Sequence, residues 1–226
     1  MSLNNIYWHE SKSCRTRIVN APKLSRLIFR TTLNSVDMRD IIVQEILIPS
    51  LKTLYAVDYD NIRFRVSERN ICARLAHHME NLMRRYDEMN DEELFKEYFA
   101  DVEYNRMGNG DLKHYENIVQ RPIYMVSDLL IQKRGYGRNL LAVEMKRKGN
   151  HKHVAEDKER LVSLVSSSAT YDEEVRCVHD TLVGAFIEYS ETDVKVELFE
   201  NINGRGEKTE DIVMVWDKMT SVLQCK

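Results

Sequence analysis

The chain has 226 residues, with 33 basic and 36 acidic side chains, enough for one sizeable core or for one domain with a small appendage. Its 43% hydrophobic and 31% charged content is that of a folded soluble protein, and 8 glycines and 3 prolines exclude collagen-like and linker-dominated chains. No apolar run is long enough to span a bilayer, and Met1-Ser2-Leu3-Asn4-Asn5 lacks the charged-then-apolar pattern of a secretory signal. A cytoplasmic location without a membrane partner is therefore expected. Cys14, Cys72, Cys177 and Cys225 lie too far apart for a zinc ribbon or a disulfide framework and read as free, partly buried thiols.

From Ser35 to about Tyr55, Ile41, Ile42, Ile46, Leu47, Leu51 and Leu54 recur at helical spacing, with Pro49 marking a kink or a break. A second helix is expected from Ser67, its N-cap, to about Arg85, with Ile71, Leu75, Met79, Leu82 and Met83 on one stripe. Asp91 to Glu97 reads as a short helix and Ala100 to Arg106 as a strand, followed by the loop Gly108-Asn109-Gly110. Two strands, Ile123 to Lys133 and Asn139 to Lys146, are joined by the turn Arg134-Gly135-Tyr136-Gly137-Arg138. An amphipathic helix over 154 to 168 carries Leu161, Leu164 and Val165. The apolar run Leu182 to Tyr189 belongs near a sheet centre, and weaker strands follow at Val194 to Phe199 and Ile212 to Trp216. Asn203-Gly204-Arg205-Gly206 reads as a turn. The fold class is α/β (α+β), a mixed central β-sheet flanked by helices, with residues 1–60 a mainly helical extension packed on a core of residues 61–226.

Charge is unevenly distributed. Residues 87 to 103 hold eight acids against Lys96 alone, whereas 133 to 153 hold Lys133, Arg134, Arg138, Lys146, Arg147, Lys148 and Lys152 against Glu144. A charge run is ordinarily a solvated face, but a phosphate-facing surface has the composition of the second run.

That basic run surrounds a possible reaction centre. Glu144 and Lys146, two apart on a strand, project from one face, and Asp128 comes from the neighbouring strand of the hairpin. Two nearby carboxylates repel unless a cation lies between them, and an all-oxygen donor set favours magnesium or manganese. An adjoining lysine can position or deprotonate a water, or neutralise charge on a phosphate. Taken alone, an Asp and a Glu-x-Lys on two strands read first as ordinary solvent-face residues, since Glu-x-Lys is common by chance. Leu140, Leu141, Ala142 and Val143 argue otherwise, because a charge pair emerging from a strand apolar on both faces needs a partner or a purpose.

The arrangement resembles the PD-(D/E)XK nuclease superfamily, whose fold is restriction-endonuclease-like. The matching pieces are Glu68 on a helix, Ser127-Asp128 on a strand and Glu144-Met145-Lys146 on the next. Ser67-Glu68-Arg69, Arg74-Leu75-Ala76 and Asp101-Val102-Glu103-Tyr104-Asn105-Arg106 extend the similarity to uncharacterised bacterial and phage members, over about residues 39 to 190. The resemblance implies that Asp128, Glu144 and the main-chain carbonyl of Met145 hold Mg or Mn, with Lys146 activating water or stabilising charge. Glu68 would bind the metal through water or orient Lys146, and Arg160 would lie near phosphate, with Lys158 a poorer candidate. Arg134, Arg147 and Lys148 of the basic run are the further substrate-binding candidates. Ser127 replaces the proline of the family name, and Gln132 stands where relatives often carry histidine, and neither change removes a metal ligand.

The expected activity is thus metal-dependent hydrolysis of nucleic acid, DNA first, with a homodimer one way to cut both strands. The alternative is a catalytically silent nucleic-acid-binding or protein-interaction module on the same fold. His77-His78 point about 100° apart on a helix and do not serve one site easily. His151-Lys152-His153 reads as exposed or phosphate-contacting, and Tyr104, Tyr124, Tyr136 and Trp216 as core rather than base-stacking.

Overall fold

The helical pattern beginning at Ser35 runs to Arg63 in the computed structural model, which describes residues 35–103, 114–116, 122–124, 126–133, 138–167 and 181–226. It comprises α1 (Ser35–Asp40), a π-helical stretch (Ile41–Leu47) and α2 (Ile48–Arg63). Proline has no N–H to donate and its ring crowds the carbonyl four residues back. The chain accommodates Pro49 by widening the preceding turns, with Ile48 N–H bonding to Val43 O, five residues back, so the irregularity expected at Pro49 takes the form of a π stretch just before it. A sharper irregularity lies at Asp58 (φ −112°, ψ 19°). Its carboxylate bonds Arg74 Nε at 2.9 Å and His78 Nε2 at 2.6 Å, fastening α2 to the next helix.

That helix, α3 (Glu68–Asn90), starts as its sequence requires, the Ser67 hydroxyl accepting Asn70 N–H at 3.3 Å, and it runs five residues beyond Arg85. No helix forms over Asp91–Glu97. Asp91 enters the left-handed region (φ 55°), and the Asp87 carboxylate takes Phe95 N–H, so a capped turn with Phe95 in the core displaces the helix that propensity favours.

The strands are β1 (Tyr98–Val102), β2 (His114–Glu116), β3 (Pro122–Tyr124), β4 (Leu129–Lys133), β5 (Leu141–Arg147), β6 (Val183–Tyr189), β7 (Asp193–Ile202), β8 (Arg205–Asp217) and β9 (Val222–Cys225). Seven form one sheet in the order β1-β4-β5-β6-β7-β8-β9, and β2 with β3 form a separate ribbon. The single strand expected from Ile123 to Lys133 is therefore two pieces. Every neighbouring pair in the large sheet is antiparallel except β5 and β6, which are parallel and joined through α4 (Val154–Val165), as a parallel connection demands.

Strands β4, β5 and β6 are buried nearly throughout because both sheet faces are covered. One face carries the main core, in which Leu141, Val143 and Met145 meet Ile71, Leu75 and the buried residues of the first helical segment. On the other face α4 lays Leu161, Leu164 and Val165 over Leu130, Ala142, Phe186 and Phe199. Gly206 permits that close approach, since a Cβ there would lie 2.2 Å from Val162 O. The β7–β8 turn is where the sequence places it, with Asn203 and Gly204 both at positive φ (53° and 89°). No helix of the described residues is long and apolar enough to cross a membrane.

Candidate active site

The β4–β5 register pairs Leu129 with Val143 and Leu130 with Ala142. Continued by one residue, it sets Asp128 across from Glu144. Asp128 is not inside a strand as expected but immediately precedes β4, where its carboxylate is free to turn back and accept Met145 N–H at 2.8 Å. Its main-chain carbonyl accepts Glu103 N–H at 3.2 Å, bringing the end of β1 to the same place. Alternation along β5 gives Ala142, Glu144 and Lys146 to the α4 side, and Leu141, Val143 and Met145 to the main core.

Glu144 is 1% exposed. Burial, and next the charge of Asp128, hold its carboxyl well above the usual carboxylate range. Burial also raises Asp128, although the bond from Met145 N–H opposes the shift. The cation on Glu144 comes from α4: Arg160 Nη1 lies 2.9 Å from Glu144 Oε1 and 3.1 Å from Val126 O, and Arg160 Nη2 is 3.0 Å from Asp157 Oδ1. Lys146 Nζ pairs with the other oxygen of Asp157 at 3.0 Å. Burial lowers the lysine pKa, but Asp157, with Asp128 and Glu68 behind it, more than offsets this and leaves the amine firmly protonated.

Glu68 opens α3 on the main-core side and does not touch Lys146. It accepts Arg147 N–H and the Asn150 side-chain amide, each at 3.0 Å, and so fixes the end of β5 just past Lys146. Arg147 turns back to Ile62 O (3.0 Å) and Val66 O (3.4 Å) over the Tyr189 ring, satisfying carbonyls where α2 ends. Lys148 pairs with Asp193 at 2.7 Å. Three of the four basic residues expected to meet substrate are thus engaged within the protein, and Arg134 lies outside the described residues. Lys158 pairs with Glu197 (2.7 Å) above the Phe186 ring. Exposed Arg69 pairs with Glu103 at 2.6 Å, while Tyr104, Arg106 and Tyr136 are again outside the described residues.

Asp157 is the site residue that sequence reasoning missed. It is 3% exposed and lies four residues before Leu161, on the helix stripe that meets the sheet. An acid on the apolar stripe of an amphipathic helix is the signal that marks it. Cys72 also adjoins the site, but burial, reinforced by the charges of Asp128, Glu144 and Glu68, raises its thiol pKa and keeps it un-ionised. His78 is absorbed by Asp58, whereas His77 meets Asn81, so the two histidines serve different partners.

Among the described residues no three His, Cys, Asp or Glu side chains form a ready metal cage. The two carboxylates that meet here, Asp128 and Glu144, are hard, anionic oxygen donors of the kind that fits Mg or Mn. No family model, curated protein or solved structure matches the chain.

Proposed function

We propose that the protein is a metal-dependent nuclease of the PD-(D/E)XK kind, hydrolysing phosphodiester bonds of nucleic acid, with DNA the first substrate to try. The observation that carries this reading is the juxtaposition of Asp128 and Glu144 at the mouth of one hairpin, with Lys146 next on the Glu144 face. The Glu68-bearing helix supports it by locking the strand that presents them.

Asp128, Glu144 and the main-chain carbonyl of Met145 would hold Mg or Mn. That cation, when bound, polarises the phosphate and makes its water more acidic. Lys146, protonated and held by Asp157, is suited to stabilise charge growing on the phosphate oxygens rather than to accept a proton at the outset. Glu144 is buried and Asp128 half-buried, which strengthens each of these interactions. A cytoplasmic location belongs to this reading and accords with the free thiols of Cys72 and Cys225.

One observation favours a second reading, a catalytically silent binding module: Arg160 already neutralises Glu144. Incubation with labelled single-stranded, duplex and branched DNA and RNA in Mg or Mn separates the two. Cutting that requires metal and disappears in Glu144→Ala supports the nuclease. Retention of nucleic acid without cutting, by a folded wild-type protein, supports the module.

A further inference from the structure

Strand β5 places Glu144 and Lys146 on one face two residues apart, yet the lysine does not pair with its neighbour. Its amine goes to Asp157, which also receives the second arm of Arg160. One buried carboxylate on α4 therefore anchors both cations of the site, and it does so at 3.0 Å in each case. Asp157 is well placed for the task, since it lies in the first turn of α4, where the helix dipole favours negative charge, and Leu161 one turn later seats the helix against the sheet.

The consequence is a division of charge. Asp128 carries a backbone N–H and no side-chain cation in direct contact among the described residues, and Glu144 carries a single arm of Arg160. Without Asp157, Lys146 would be free to close on the two carboxylates and Arg160 to turn its second arm toward them. We propose that Asp157 is a positioning residue: it holds Lys146 away from Asp128 and Glu144 and keeps one arm of Arg160 to itself, so that a divalent cation would have to displace only the other arm, the one on Glu144. Arg160 is then the internal cation that gives way on Glu144. The inference rests on the hydrolytic reading in one respect, that these two carboxylates take the metal.

Calorimetric titration of the full chain with Mn²⁺, without nucleic acid, tests this apart from turnover. Asp157→Asn should weaken Mn²⁺ binding about tenfold, the lower end of what loss of a supporting residue costs at a metal site, because Lys146 is then released toward the two carboxylates. Arg160→Gln should tighten it, because a competing cation is gone. Asp157→Glu should restore part of the affinity, and where cutting is measured, Asp157→Asn should lower kcat at saturating Mn²⁺ more than it raises KM. Wild-type affinity in both Asp157→Asn and Arg160→Gln, with only a lower melting temperature, would reduce Asp157 to a structural ion pair and overturn the inference while leaving the nuclease reading intact. Should Asp157→Asn fail to fold, the sign of the Arg160→Gln change decides alone. Absence of Mn²⁺ binding in wild type and Arg160→Gln alike removes the cation site, and with it both proposals.

Discussion

Replacing Arg160 by glutamine takes away the guanidinium that lies 2.9 Å from Glu144 Oε1 and leaves a carboxylate that is 1% exposed. Breaking a buried ion pair by removing one partner costs about 3–5 kcal/mol. The Arg160 side chain is 22% exposed and glutamine can still donate one hydrogen bond, so the loss should fall near or just below the bottom of that range, about 2–3 kcal/mol. For a chain of this length each kcal/mol moves Tm by about 2–4 °C, which gives a fall of roughly 5–10 °C. The deficit depends on pH in a defined direction. Burial and Asp128 already raise Glu144, and loss of the arginine raises it further, so the folded variant holds that proton more tightly than its unfolded chain does. Its stability penalty is absent where Glu144 is protonated in both states and grows as pH rises through the folded pKa. Calorimetric melting of wild type and variant in EDTA, from about pH 5 to 8, measures both effects. Equal melting temperatures across that range would refute the claim that Glu144 is buried against Arg160.

Three further outcomes follow from the same geometry. Asp128→Asn should stabilise the metal-free protein at neutral pH, because burial raises the Asp128 pKa and its ionised form costs stability above the ordinary carboxylate range; the gain should vanish as pH falls, and denaturant titration at several pH values reads it. Gly206→Ala should cost at least about 1–3 kcal/mol by overpacking, since the new Cβ meets Val162 O at 2.2 Å and α4 must shift, with a matching drop in cutting rate if α4 carries Asp157 and Arg160 as described. Asp58→Asn should destabilise by about 1–2 kcal/mol at neutral pH, below the buried-pair range because Arg74 is 37% exposed and asparagine keeps one acceptor. Burial opposes ionisation of Asp58, but the bonds from His78 and Arg74 prevail and lower its pKa below 3.8, so the wild-type advantage should be present above that value and shrink as pH falls through the folded pKa, as urea unfolding would show.

What the sequence made legible was whatever depends on local periodicity. The strand apolar on both faces that ends in Glu144 and Lys146, the Ser67 cap and the apolar run at 182 to 189 each survive in the fold, because a strand covered on both faces and a capped helix start are what those local patterns specify. Misreadings occur where a tertiary contact outvotes the local preference. Asp87 captures Phe95 N–H and dissolves the helix expected over Asp91 to Glu97. The four-residue edge strand β9, only one of whose side chains is buried, offers too short a pattern to be seen. Among the site residues, spacing brings out Asp128, Glu144 and Lys146, whereas the destinations of Arg147, Arg160 and Lys148 depend on carbonyls and acids distant in sequence. Asp157 escaped because an acid early in a helix reads as a dipole-favoured surface residue, and only its phase against Leu161 and Leu164 betrays that it is buried.

The most direct test of the hydrolytic centre is a single-turnover comparison of wild type and Lys146→Ala on the nucleic acid that the panel identifies, at saturating Mg²⁺ and with EDTA as the control. Removing one preorganised donor from a developing oxyanion typically slows the chemical step about 10²–10³-fold. The account predicts metal-dependent cutting by wild type and a loss of that order in Lys146→Ala, with Mg²⁺ affinity largely retained. Equal single-turnover rates in the two proteins, or cutting that persists in EDTA, would contradict it.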